Sequence, residues 1–550
     1  MPKEQIELFE SENELPSDLN NKNICSISRA DIELDIGLIE AETWPSRHKV
    51  HKYWGRKPAN IVSRYIEYFS HPGEMVLDLF SGSGITVVEA ARINRNAVGY
   101  DINYFAHFLG NALISPPSHH EFQQVATKVI AAVSDETHRL FSTHCRNCGE
   151  ETLVQSYVYE LKKMTKVRYR CTKCRSKGAV SPTARDMKLS KTNFEIPEDA
   201  PDGDVYFGWE MQKLKRRSVK KWSDLFTKRN FHLATRIRQE IMKISDKHVR
   251  NWMLLTLTAS LAQSTRMIAD FSGKAGGPSW KINCYWLPDR WQELNPLQYF
   301  NNRVKKSISA LKDLTEIGAP FTDIASIILG NSRNTELAAE SVDYIFTDPP
   351  YGGEGIQYGE LSMLWCLWLG GETRLEQEVA FNPYRGFDQS HYDQGISDIF
   401  KEAYRVLRPG RWMTVTFANK DPEVWDGLMN ACRNVGFLLV AAVPMKRSAP
   451  SLTEVTMRRA PKADLVLTFQ KPSTPSEPRT QTSSSPKYDF ETRVRLIHEQ
   501  IRDRKEGNYD VHDVFDAITI DWFSWYYENG QRPNALQPTL ESVGKLISSR

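Results

Sequence analysis

The residues best suited to chemistry are Asp348-Pro349-Pro350-Tyr351, directly after the apolar run Val342–Thr347. Such a run reads as a strand, so a carboxylate, two rigid prolines and an aromatic ring are expected at a strand's carboxyl end, where open α/β sheets receive ligands. Proline fixes φ and offers no N–H, which leaves carbonyls to face a cleft. Asp348 and the Pro349 carbonyl can both accept from an –NH₂ group, aiming the nitrogen lone pair at an electrophilic methyl for in-line displacement. The Tyr351 ring can stack on a base drawn out of its helix. A plain turn after a strand is the competing reading, and Asn382-Pro383-Tyr384, which echoes the pattern without a preceding apolar strand, is read as such a loop.

Far upstream, Val76-Leu77-Asp78-Leu79-Phe80-Ser81-Gly82-Ser83-Gly84 is a strand running into a glycine turn. Gly82 and Gly84 permit a tight turn and close approach of a ligand to the backbone, and the following helix, expected from Thr86 to Ile93, presents free N–H groups. The third glycine of a dinucleotide fingerprint is absent, Val87 standing in its place. Asp101 ends the next strand, Ala97–Asp101, where a carboxylate can accept both hydroxyls of a ribose. An ordinary α/β strand end is the alternative. The two motifs together predict an enzyme that methylates an amino group on a nucleic-acid base. Methylation of cytosine carbon needs a cysteine nucleophile, usually after proline, and the chain has no Pro-Cys pair.

Cys145-x-x-Cys148 and Cys171-x-x-Cys174, about 22 residues apart, match a zinc ribbon. Four thiolates close the tetrahedron, so this zinc would be structural. Lys162, Lys163, Lys166, Arg168 and Arg170 fall on the intervening hairpin, giving a surface for DNA or a simple scaffold. Cys25, Cys284, Cys366 and Cys432 lack ligand spacing, and burial accounts for them.

The 550 residues carry a formal charge of only +3, so bulk charge does not announce a nucleic-acid binder. Residues 209–250 are different: thirteen lysines and arginines, among them Lys213, Lys215, Arg216, Arg217, Lys220, Lys221, Lys228 and Arg229, face four carboxylates, a net of about +9. Trp222, Phe226 and Phe231 interleave with them, which suits a surface tracking phosphates; a solvated helical face is the alternative. An acidic, polar N-terminus and the lack of a bilayer-length apolar run predict a cytoplasmic protein.

The α/β rhythm starts after residue 45, breaks off near 120, resumes near 321 and closes with an antiparallel pair, Phe437–Val443 and Ala463–Phe469. The expected organisation is therefore an arm (1–45), a cofactor-binding part (46–119), a ribbon insertion (120–208), a basic helical insertion that reads DNA (209–320), a catalytic part (321–470), a Pro/Ser/Thr-rich linker (471–488) and a helical tail (489–550). Trp522, Phe523, Trp525 and Tyr526 are expected to form the tail's core.

Met75–Gly84 with Asp348–Tyr351 resembles the S-adenosylmethionine-dependent amino-methyltransferases of adenine N6 and cytosine N4, and within them the zinc-ribbon-containing adenine-specific DNA methylases of prokaryotes. His51-Lys52-Tyr53-Trp54-Gly55-Arg56-Lys57-Pro58-Ala59-Asn60 is similar to that family's opening signature, Asp224–Arg229 to a mid-chain segment, and Tyr351-Gly352 through Tyr358–Ser362 to the family's stretch after the tetrapeptide. The resemblance, over residues 46–470, implies an α/β fold: a Rossmann-like methyltransferase domain split by a zinc-ribbon and helical insertion, with a small helical C-terminal domain. It implies S-adenosylmethionine as donor, with Asp78 in the cofactor strand, Phe80, Ser81, Gly82 and Gly84 at its methionine moiety, Asp101 at its ribose, and Trp54 and Lys57 against it. Ser332 falls where many relatives keep an acidic contact to the adenine ring. Asp348, Pro349, Pro350 and Tyr351 would be catalytic, and Cys145, Cys148, Cys171 and Cys174 would hold Zn²⁺. Double-stranded DNA is the implied partner, with other subunits of a restriction or phage-defence system, and aspartate at 348 favours adenine over cytosine. Methylation of cytosine N4, of guanine N2 in RNA, and a DNA-binding subunit active only with partners stay open as alternatives.

Overall fold

The structure is a computed structural model describing residues 39–271, 274–275, 284–353, 355–419, 421–446, 463–474, 488–504, 509, 511–529 and 540–548. The expected arm as far as residue 38, with Cys25, and the linker at 475–487 lie outside the described residues.

Seven strands make the central sheet: β1 (Met75–Asp78), β2 (Asn96–Asp101), β3 (Ala325–Leu329), β4 (Val342–Thr347), β5 (Leu407–Phe417), β6 (Leu438–Lys446) and β7 (Ala463–Gln470). Their spatial order is β3-β2-β1-β4-β5-β7-β6. All run parallel except β7, which pairs antiparallel with both β5 and β6. The closing pair expected from the sequence is present, but β7 slots between β5 and β6.

Side chains alternate along each strand and enter two separate cores. Val76, Tyr344, Phe346 and Trp412 face one layer, with helices Ala59–Phe69, Ile85–Arg92 and Tyr104–Ile114. Leu77, Ile345, Met413, Val415 and Phe417 face the other, with helices Gln389–Val406 and Pro422–Asn434. Burial on both faces is why the strands read as continuous apolar runs. Among the described residues no helix is long and apolar enough to cross a membrane.

The insertion between β2 and β3 is continuous with the first core. Helix Lys247–Ser264 is buried on nearly every side, and Trp252 Nε1 donates to the Ala112 carbonyl at 2.7 Å. The strands Glu151–Glu160 and Lys163–Arg170, expected within the ribbon insertion, form a hairpin, and Arg290–Leu294 pairs with its outer edge. Arg229 ties this hairpin to the helices: it is 2% exposed, donates to Glu293 at 2.5 and 3.1 Å, and lies over the Tyr157 ring at 4.3 Å.

Two expectations need correction. Trp222, Phe226 and Phe231 are buried core residues and cannot interleave with phosphates; Lys213, Lys215, Arg216, Arg217, Lys220, Lys221 and Lys228 remain exposed, whereas Arg229 does not. In the tail, Trp522, Phe523 and Tyr526 belong to the second sheet core, with Phe523 4.3 Å from the Trp425 ring. Trp525 packs at the margin of that core. The tail's own small core is Val494, Val514, Ile518 and Val543. Helix Val511–Asn529 has two apolar faces, and helical periodicity alone does not say which faces inward.

Replacing Arg229 with Met leaves the buried Glu293 carboxylate with the Thr227 and Tyr159 hydroxyls but without its counter-charge, so a loss of about 3–5 kcal/mol is expected. In denaturant melts the double variant Arg229→Met/Glu293→Gln should recover much of that loss.

Candidate active site

Chain order reverses between β1 and β4, which pair in parallel through Val76–Tyr344 and Leu77–Ile345. Open sheets form their ligand crevice at such a switch point. A cleft of about 980 Å³, counting space open to solvent, lies there. Its walls come from residues 53–57, the turn 78–83, Asp101–Asn103, Asn331 and Ser332, Asp348 and Pro350, Tyr358 and Glu378.

Trp54, Lys57, Asp78, Phe80, Ser81, Gly82, Asp101 and Ser332 thus line one cleft with Asp348 and Pro350, whereas Gly84, Pro349 and Tyr351 do not line it. Gly84 has φ +78°, and a Cβ there would come within 3.0 Å of Gly110 Cα, so its smallness serves a helix crossing. Gly82 has φ +50°, and a Cβ would meet the Tyr53 ring at 3.0 Å. Its N–H donates to Asp101 Oδ2 at 2.8 Å, and the Asn103 N–H donates to Oδ1 at 2.8 Å. Asp101 is thereby held rigid with lone pairs left over for a diol. Trp54 Nε1 and Ser81 Oγ are buried in the cleft wall with no hydrogen-bond partner among the described residues. Buried polar atoms are rarely left unpaired, so these two fit a polar ligand.

Burial pushes Asp101 up to about 6, against the pull of the Asn103 and Gly82 N–H groups. Burial likewise pushes Asp78 up to about 6, opposed by hydrogen bonds from Thr86, Phe80 and Thr347. The Thr347 hydroxyl donates to Asp78 Oδ1 at 3.0 Å, linking the ends of the two central strands. The Ser332 hydroxyl donates to the Leu79 carbonyl and keeps only acceptor capacity for a ligand.

At the other end of the cleft Asp348 Oδ1 accepts from Thr416 Oγ1 and faces Lys57 Nζ, each at 3.0 Å. Burial pushes the Asp348 carboxyl up to about 6, with Lys57 opposing and Asp464 adding to the rise. The Tyr351 hydroxyl accepts from Lys57, whose ammonium lies 4.8 Å from the centre of its ring. The expectation that both proline carbonyls face the cleft is corrected: the Pro350 carbonyl accepts from the Tyr392 hydroxyl at 2.7 Å. Tyr53 and Tyr358 fall in segments similar to the family's but were given no role by the sequence, and Asp464, Thr416 and Glu378 were missed altogether. The one available signal was a lone carboxylate, Asp464, opening the apolar run Leu465–Phe469.

The four ribbon cysteines converge. Cys145 and Cys174 sulfurs are 3.6 Å apart, as are Cys148 and Cys171, and all four lie within 4.8 Å of one another. A disulfide needs about 2.05 Å, whereas a tetrahedral ion bonded at about 2.3 Å spaces its sulfurs by about 3.8 Å. Lys162, Lys163, Lys166 and Arg170 on this hairpin are exposed, while Arg168 is paired with Asp270 at 2.9 Å.

Comparison with known proteins gives the same direction. Residues 21–108 match the DNA methylase family model, a span covering the helix before β1, the glycine turn and Asp101. The chain is 24% identical over 414 residues to the Type II methyltransferase M.MjaII of Methanocaldococcus jannaschii, covering 68% of this chain and 72% of that protein. It is 43% identical over 47 residues to the Type II methyltransferase M1.MboII of Moraxella bovis, covering 8% of this chain and 18% of the relative. The chain is thus similar to DNA methyltransferases.

A carboxyl with a raised folded pKa binds its proton more tightly in the folded state, so its stabilising contribution is present at low pH and lost as pH rises. Asp101→Asn removes that term. The stability of the unsubstituted protein relative to the variant should therefore fall between the unfolded value near pH 4 and about pH 6, then level off. Thermal melts without ligand at matched pH test this.

Proposed function

We propose that this chain transfers a methyl group from S-adenosylmethionine to the exocyclic amine of a base in double-stranded DNA, with adenine N6 as the target, as one component of a restriction or phage-defence system. The observation that carries this reading is the facing of Asp348 and the glycine turn across one cleft at the β1–β4 switch point. S-adenosylmethionine, when bound, supplies an electrophilic methyl on sulfur. Asp101 suits its ribose diol, and Ser81 and Trp54 offer the unpaired polar atoms a ligand there would satisfy.

The remaining work belongs to the protein. Asp348 accepts a hydrogen bond from the base –NH₂, fixes the direction of its lone pair and stabilises the positive charge that grows on nitrogen. It is also the nearest acceptor for the proton the methylated amine must lose. Because no covalent intermediate is needed, rate comes from alignment. A duplex base must leave its stack to reach the cleft, and the exposed cations at 213–221 and on the ribbon hairpin suit the backbone of the DNA. In the ribbon the four thiolates would hold a structural Zn²⁺.

Incubation with isotopically labelled S-adenosylmethionine and unmethylated DNA, followed by digestion, should yield labelled N6-methyladenine. Labelled N4-methylcytosine would move the target base, and label only in RNA would replace the substrate. Asp348→Ala should lower turnover by about 10²–10³-fold while cofactor affinity, read by calorimetry, holds. Metal analysis should find about one zinc per chain, with Cys148→Ser reducing it; a metal-free native protein would remove the ribbon assignment.

A further inference from the structure

Lys57 engages the carboxylate that the proposed reaction needs for something else. Its ammonium is 3.0 Å from Asp348 Oδ1 and 3.3 Å from Asp464 Oδ2, it donates to the Tyr351 hydroxyl, and the residue is 5% exposed. An ammonium on Asp348 is an N–H donor in the place where a base amine would donate. Thr416 and Lys57 both act on Oδ1, so an amine seated on that same oxygen displaces a charge-assisted bond, the stronger kind. A displaced ammonium left without a carboxylate in this buried setting would be costly. Asp464 supplies one: it is the second residue of β7, is 3% exposed, and is already within ion-pair distance. A lysine stem of four carbons with three rotatable donors can transfer its weight from one carboxylate to the other by a small rotation.

We propose that Asp464 is a positioning residue that takes over the Lys57 ammonium when a target amine enters at Asp348. The inference rests on the methyl-transfer reading and deepens it. Before the base arrives, Lys57 keeps Asp348 ionised; afterwards, Lys57 paired with Asp464 frees Asp348 to accept from the amine. Burial disfavours the ammonium, but Asp348, Tyr351 and Asp464 together hold it above the usual lysine range, so it is charged where it stands. The groups facing Asp348 are Lys57 from the loop before the first helix, Thr416 from β5, Asp464 from β7, and Tyr351 and Tyr358 beyond β4.

The test is a double-mutant cycle of Asp464→Asn and Lys57→Met, reading kcat and KM for DNA with labelled methyl donor. Asp464→Asn should raise KM for DNA by about tenfold or more, the size of one charge-assisted bond, because Asp464 no longer offers the ammonium a second carboxylate. In the Lys57→Met background the same substitution should change nothing further. Lys57→Met should also shift the acid limb of the pH profile upward, since the cation holding Asp348 ionised is gone. An equal penalty for Asp464→Asn in both backgrounds would reduce Asp464 to a fold-supporting role and overturn the proposal. If Asp464→Asn does not fold, judged by cofactor calorimetry, the Lys57→Met profile decides, and an unmoved limb overturns it. The unsubstituted protein separates the two claims: no methyl transfer by it sinks the parent reading and this one together, whereas turnover with an additive cycle sinks this one alone.

Discussion

The parallel pairing of β1 with β4 is the constraint on which the rest depends. Met75 and Asp343 meet across 268 positions of sequence, the Met75 N–H donating to Asp343 Oδ2 at 2.9 Å at one end of the pair. At the other end Thr347 reaches Asp78. Loop-closure entropy grows only logarithmically, about 0.6 kcal/mol per doubling of length, so a long insertion can sit between the two strands provided it folds. Here it does more than fold, because Trp252, Leu255 and their neighbours enter the same core as Val76 and Tyr344. The insertion thus becomes part of the wall that holds the central pair.

Pairing these two strands places several charges in one poorly solvated cleft. Asp78, Asp101 and Asp348 are each pushed up to about 6 by burial. Each is answered differently. Asp101 has two backbone N–H groups, Asp78 has hydroxyls and a backbone N–H, and Asp348 has a full ammonium with a hydroxyl beside it. Asp101 and Asp78 are therefore held by neutral donors, whereas the charge balance at Asp348 depends on the position of one flexible lysine. That asymmetry is what sets the two ends of the cleft apart.

Local patterns made much of this legible. The strand before Asp348, the strand before Gly82, the helix after it and the convergence of Cys145, Cys148, Cys171 and Cys174 each depend on spacing over a few residues or on a chemistry that tolerates little else. What escaped was non-local. The Trp222, Phe226 and Phe231 rings looked like partners of the surrounding cations because sequence shows proximity along the chain and not direction; all three point into the core. Gly84 looked like a ligand contact, yet its missing side chain accommodates Gly110. Trp522 and Phe523 looked like a private core and instead pack on the sheet.

By itself the sequence determined an α/β sheet with a carboxylate at the end of one strand and a glycine turn at the end of another, because alternation, proline and glycine constrain the backbone where they stand. Only the tertiary structure decided that β7 inserts between β5 and β6, and hence that Asp464 lies beside Lys57 and Asp348. The physical reason is that strand neighbours are chosen by which apolar faces can be buried together, a competition among all elements at once, and an ion cluster assembled from three distant segments leaves no pattern in any one of them.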